Sequence, residues 1–70
     1  MVGYLVDSTN LHRVDYDPWT AALIIEFHGG RVYRYARVPE ERFVRLLESS
    51  SKGHYFHVHI KNHFPCQRLQ

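Results

Sequence analysis

Seventy residues, 44% hydrophobic and 14% aromatic, with a formal net charge of +2, describe one small domain with a single modest core. No apolar run approaches the roughly 18 residues of a bilayer-spanning helix, so no membrane partner is expected. Cys66, the single cysteine, has no partner for an internal disulfide, and the opening MVGYLVDSTN lacks the basic and then apolar pattern of a secretory signal, so a reducing cytoplasm is expected.

In chain order, the first expected strand is LHRVDY, residues 11–16, in which His12, Val14 and Tyr16 alternate with Leu11, Arg13 and Asp15. Asp17-Pro18 ends it in a turn. A second strand follows in TAALIIEF, residues 20–27, with Leu23, Ile25 and Phe27 on one face and Ala22, Ile24 and Glu26 on the other.

Gly29-Gly30 marks a hairpin into RVYRYAR, residues 31–37, and the loop length decides where the tyrosines point. A two-residue loop sets His28 against Arg31 and brings Tyr33 and Tyr35 opposite Glu26 and Ile24. A three-residue loop, with Gly30 as a left-handed bulge residue, sets Phe27 against Arg31, Ile25 against Tyr33 and Leu23 against Tyr35. The second register is favoured because it gathers Leu23, Ile25, Tyr33 and Tyr35 on one side and leaves Glu26 and Arg34 on the other. The strand itself keeps two readings: a stacking and phosphate-binding face, or core tyrosines between solvated arginines.

Val38-Pro39-Glu40-Glu41 opens a helix that runs to about Ser49, with Pro39 in the first turn and two carboxylates at the positive end of the helix dipole. Phe43, Leu46 and Leu47 form its sheet-facing stripe, while Arg42, Arg45 and Glu48 face solvent. Ser49 to Gly53 breaks the pattern. A second helix is expected from His54 to about Lys61, with Phe56 and Ile60 inward, and residues 62–70 read as an irregular tail. The layout is α+β, a three-stranded antiparallel meander followed by two short helices packed on one face. It occupies residues 1–70 as a single domain with a core of about 8–69.

A set of ordered motifs then points to a family. Ser8-Thr9-Asn10-Leu11, Val14-Asp15-Tyr16-Asp17, Leu23 to Phe27, Gly30, Tyr33-Arg34-Tyr35, Val38-Pro39 and Leu46-Leu47 come first. Ser51-Lys52-Gly53, Tyr55-Phe56, Ile60 and Phe64 to Leu69 follow. In this order they resemble the KTSC family, named for a domain at the C-terminus of some lysyl-tRNA synthetases and also found as small stand-alone proteins of bacteria and their phages. The resemblance spans nearly the whole chain and centres on Tyr33-Arg34-Tyr35 followed by Val38-Pro39. His57 stands where the family pattern has Asn, and Cys66 where it has an aromatic residue. The synthetase context implies RNA binding, and the chain holds no synthetase catalytic domain, so aminoacylation is not expected.

Charge distribution carries the functional reading. Residues 1–30 hold Asp7, Asp15, Asp17 and Glu26 against Arg13, a net of −3, whereas residues 31–70 have a net of +5. Arg31, Arg34, Arg37, Lys52, Lys61 and Arg68 are the expected nucleic-acid contacts, with RNA or DNA as partner. Tyr33, Tyr35, Pro39, Gly53 and Phe56 are expected to be structural. Ser51-Lys52-Gly53 before a helix offers a phosphate site, in which the backbone N–H groups of His54, Tyr55 and Phe56 would donate to the phosphate beside Lys52, although a plain helix cap is the commoner use of such a sequence. His59, His63 and Cys66 have a spacing that a three-ligand zinc site would use, but no second cysteine and no nearby carboxylate support one, so no metal or other cofactor is expected. No nucleophile and base are held on rigid elements, so no catalytic residue is expected. The alternative function is protein interaction or self-association through a sheet edge or through the face carrying Ile24, Val32 and Ala36.

Overall fold

A computed structural model describes residues 2–70. Its centre is the glycine hairpin. Gly29 and Gly30 take φ values of 99° and 90°, conformations that only glycine adopts readily. The Gly30 amide donates to the Phe27 carbonyl at 3.1 Å, and the Phe27 amide donates to the Arg31 carbonyl at 2.8 Å. The loop is therefore three residues long. It joins β3 (Ala22–Phe27) to β4 (Val32–Tyr35) in the register Leu23 with Tyr35, Ile25 with Tyr33 and Glu26 with Val32. The favoured register is the one found, and Tyr35 is 5% exposed.

Three further strands complete the sheet. Among the described residues it has five strands in meander order, with β1 (Val2–Leu5) beside β2 (Leu11–Asp17) and β5 (Cys66–Arg68) beside β4. The α+β class stands, and the three-strand expectation is corrected to five. The tail expected to be irregular pairs with β4 as Tyr33 with Arg68, Arg34 with Gln67 and Tyr35 with Cys66. Backbone bonds on either side of β5 anchor it, from the Ala36 amide to the Pro65 carbonyl at 2.9 Å and from the Val32 amide to the Gln70 carbonyl at 2.9 Å.

A bulge corrects the reading of β2. Leu11 pairs with Phe27 and Arg13 with Glu26, so His12 is the extra residue. Strict alternation grouped Leu11 with the solvent-facing Arg13; the bulge instead turns Leu11 inward, fully buried with Val14 and nearly buried Tyr16. Ser8 supports this corner. Its hydroxyl accepts from the Asn10 and Leu11 amides at 3.2 Å each, and its carbonyl lies 2.9 Å from Nε2 of His28 in the glycine hairpin.

Both helices lie on the inner face. α1 (Glu40–Glu48) follows Pro39, which stands at the N-cap just outside the first turn, and it buries Phe43 and Leu46. Phe43 stacks on Tyr16, with ring centroids 5.0 Å apart and planes 12° from parallel. The Tyr16 hydroxyl donates to the Val38 carbonyl at 2.6 Å, tying β2 to the approach of this helix. α2 (Lys52–His59) begins two residues before the expected His54, and Phe56 meets Phe27 and Tyr35 edge-on at 5.3 and 5.7 Å. Asn62, at φ 66°, turns the chain after this helix, a left-handed position that asparagine tolerates better than most residues. No helix of the described residues is long and apolar enough to cross a membrane.

Candidate functional site

Each helix covers a different part of the sheet. Phe43 sets α1 over β2, Phe56 sets α2 over β3 and β4, and β5 extends the sheet beyond them. The chain leaving α2 must pass from Ile60 to Pro65 to reach that edge, and it borders a hollow as it does so. The result is a cleft of about 320 Å³. Phe27, Tyr35 and Phe56 contribute its inner surface, with the partly exposed rings of Tyr33 and Phe64 and the exposed Cys66 completing the apolar part.

Cations stand over these rings. The Arg31 guanidinium carbon lies 5.4 Å from the Phe27 ring centre, and that of Arg68 lies 5.8 Å from the Tyr33 ring centre. Both distances fall within cation–π range. Lys61 also borders the cleft. Asn10 and Asn62 add carboxamides, each with donors and an acceptor. The Tyr35 hydroxyl sits in low-dielectric surroundings: burial pushes its pKa well above the ordinary tyrosine value, and the adjacent Cys66 and Tyr33 side chains add to the rise.

The six basic residues singled out in the sequence therefore divide. Arg31 and Lys61 line the cleft and Arg68 reaches it through Tyr33. Arg34 pairs with Ile24 and Gln67, on the sheet face opposite Tyr33 and Tyr35. Arg37 is exposed at φ 58° in the link to α1, and Lys52 donates to the Ser49 carbonyl at 3.1 Å at the start of α2. The outer face that carries Ile24, Val32 and Ala36 is more polar than expected, since Arg13 and Asp15 form an ion pair there at 2.9 Å beside Glu26 and Arg34.

Tyr35 and Phe56 are core residues at 5% and 6% exposure, and Tyr33 is partly buried with Arg68 over its ring. Gly53 lies in the first turn of α2. Because that helix begins at Lys52, the free amides at its start belong to Lys52, Gly53 and His54; the Tyr55 amide, expected to be available, already donates to the Ser51 carbonyl at 3.0 Å. His59 ends α2, His63 lies in the following turn and Cys66 is on β5. No group of three His, Cys, Asp or Glu side chains that could hold a metal ion occurs among the described residues. Sequence reasoning missed Phe64 and Cys66 as cleft residues because the segment holding them was expected to be irregular. Phe64-Pro65 followed by Cys66-Gln67-Arg68-Leu69 was the available signal, an aromatic anchor leading into four residues able to pair.

The KTSC domain family model matches residues 7–64, the greater part of the chain. The chain belongs to the KTSC family. A KTSC domain protein from Yersinia pestis is similar in structure, with a TM-score of 0.92 and 31% identity over 99% of this chain and 97% of that one. An uncharacterised protein of Stutzerimonas stutzeri is 40% identical over 65 residues, which are 91% of this chain and 92% of that protein. A lysine–tRNA ligase of Nostoc is 41% identical over 54 residues, 77% of this KTSC chain but only 10% of the ligase.

Proposed function

We propose that this KTSC domain is a non-catalytic accessory module that binds nucleic acid, with RNA as the preferred class, through the aromatic cleft and its basic rim. The observation that carries this reading is that Arg31 and Lys61 line one ring-lined hollow and Arg68 stands over Tyr33 at its border, three cations from three separate parts of the chain. Arginine and lysine supply phosphate contacts, and aromatic surfaces supply sequence-tolerant stacking worth about 1–3 kcal/mol per base. The presence of similar segments in proteins named lysine–tRNA ligases supports RNA over DNA. A reducing cytoplasm is the compartment that suits an exposed single thiol in the cleft.

Fluorescence anisotropy of labelled tRNA, single-stranded RNA and duplex DNA, titrated at about 50 and 200 mM salt, tests the proposal. Saturable binding that weakens with salt supports it; no binding to any of the three at the lower salt refutes it. A second reading, docking of a protein or a second copy, rests on Trp19, which is 93% exposed in the turn between β2 and β3. Sedimentation of the protein alone, before and after Trp19→Ser, separates self-association from the nucleic-acid reading.

A further inference from the structure

We propose, resting on the nucleic-acid reading above, that the cleft seats one unstacked nucleobase with its attached phosphate on Arg31 and Lys61. The domain then takes single-stranded segments and free nucleoside monophosphates, and rejects duplex. Size is the first reason. At about 320 Å³ the cleft lies at the small end of the ~300–1,000 Å³ span of small-molecule pockets, room for one base and its sugar but not for a stacked run.

Chemistry is the second reason. A base within a duplex has both faces stacked and its pairing edge occupied, so only an unpaired base can present a ring face to Tyr33 or Phe64 and an edge to the Asn10 and Asn62 carboxamides. The cations are placed to match. Arg31, although exposed, holds its guanidinium over the Phe27 ring of the cleft, and Lys61 stands on the turn that leaves α2, so a phosphate carried in with the base meets both. Binding by surface charge alone would show the opposite preference, because a duplex carries phosphates at higher linear density than a single strand.

Cys66 provides the test, since it lines this cleft, is exposed and is the only cysteine in the chain. N-ethylmaleimide therefore adds uncharged bulk at one point of the hollow and leaves Arg31, Lys61 and Arg68 unaltered. Binding of a labelled single-stranded RNA oligomer is compared for the untreated and alkylated protein, with adenosine and uridine monophosphates as competitors and a duplex of the same sequence as control. The expected results are at least tenfold weaker oligomer binding after alkylation, competition by a millimolar monophosphate, slower alkylation of Cys66 when the monophosphate is present, and poor duplex binding. Phe64→Ala, checked for its melting temperature, is expected to weaken the oligomer about 5- to 150-fold, the equivalent of one lost stacking partner. It carries the decision if alkylation unfolds the domain. Undiminished oligomer binding after alkylation and in Phe64→Ala, with no competition by monophosphates, overturns the one-base cleft and leaves the nucleic-acid reading standing. Absence of oligomer binding by the untreated protein overturns the one-base cleft, and if tRNA and duplex also fail to bind it overturns both.

Discussion

Replacing Tyr35 by alanine tests whether the tyrosines of β4 serve the core or the ligand. Tyr35 is 5% exposed, faces Leu23 across the β3–β4 pair, and meets Phe56 edge-on at 5.7 Å, so it connects the sheet to α2. Removing a large buried aromatic ring costs about 3–5 kcal/mol, from lost transfer energy and the cavity left behind. A chain of this size has a total stability of about 3.5–10 kcal/mol at ~0.05–0.15 kcal/mol per residue, so the variant loses more than about a quarter of its stability. At about 4–8 °C per kcal/mol, the melting temperature should fall by more than ~12 °C. Tyr35→Phe keeps the ring and removes only the hydroxyl beside Cys66, for an expected loss of no more than about 1.5 kcal/mol. Thermal and urea unfolding followed by circular dichroism measure both variants. A Tyr35→Ala protein that melts within a few degrees of the parent, yet no longer binds RNA, would refute the assignment of this ring to the core.

Tyr16→Phe strands the buried Val38 carbonyl while keeping the stack on Phe43, and urea unfolding should report a loss of about 1–3 kcal/mol; an unchanged midpoint would deny the hydrogen bond a role. Gly30→Ala meets no steric obstacle, since nothing lies within 4 Å of the added carbon, but it forces alanine to a φ of 90° and should cost about 1–2 kcal/mol. A melting temperature equal to that of the parent would contradict the three-residue loop. Stability should also fall at high pH. Tyr35 and Tyr16 both hold their protons more tightly folded than unfolded, so their contribution is complete below the ordinary tyrosine value of 10.0 and is lost as pH rises above it. Burial is the main cause for both, with Glu40 and Asp17 adding to the effect on Tyr16. Urea midpoints at pH 9 and 11 should differ less in Tyr35→Phe than in the parent, and equal drops in the two proteins would sink this explanation.

The parts of the fold that sequence reasoning reached are those where side-chain pattern and backbone demand coincide. Two glycines and the alternating Leu23, Ile25, Tyr33 and Tyr35 specify a single hairpin register, because a slip of one residue would turn every one of these side chains to the opposite face. Phe43, Leu46, Phe56 and Ile60 likewise mark their own inner faces. β5 left no such trace. All three of its residues are exposed, and it is held by backbone pairing with β4, which depends on no side-chain pattern. The bulge at His12 was hidden because an inserted residue changes which face its neighbours take without changing composition. Most of what was missed at the cleft follows from β5: pairing with β4 brings Arg68 onto Tyr33 and Cys66 beside Tyr35, so the sequence separated Arg34 from the tyrosine face but could not bring Arg68 and Lys61 to the same hollow as Arg31.

The division of the basic residues permits a direct test of the binding account at constant net charge. One variant carries Arg31→Ser, Lys61→Ser and Arg68→Ser, which strip the cleft rim. The other carries Arg34→Ser, Arg37→Asn and Arg45→Ser, which remove as many charges from other parts of the surface, with asparagine chosen to suit the φ of 58° at position 37. Anisotropy of labelled single-stranded RNA is measured for the parent and both variants at about 50 and 200 mM salt. Three phosphate contacts imply that the parent's affinity falls about 20-fold over that range. The account predicts that the rim variant loses binding and most of this salt dependence while the other variant keeps both. Equal weakening in the two variants would contradict it and return the affinity to overall charge.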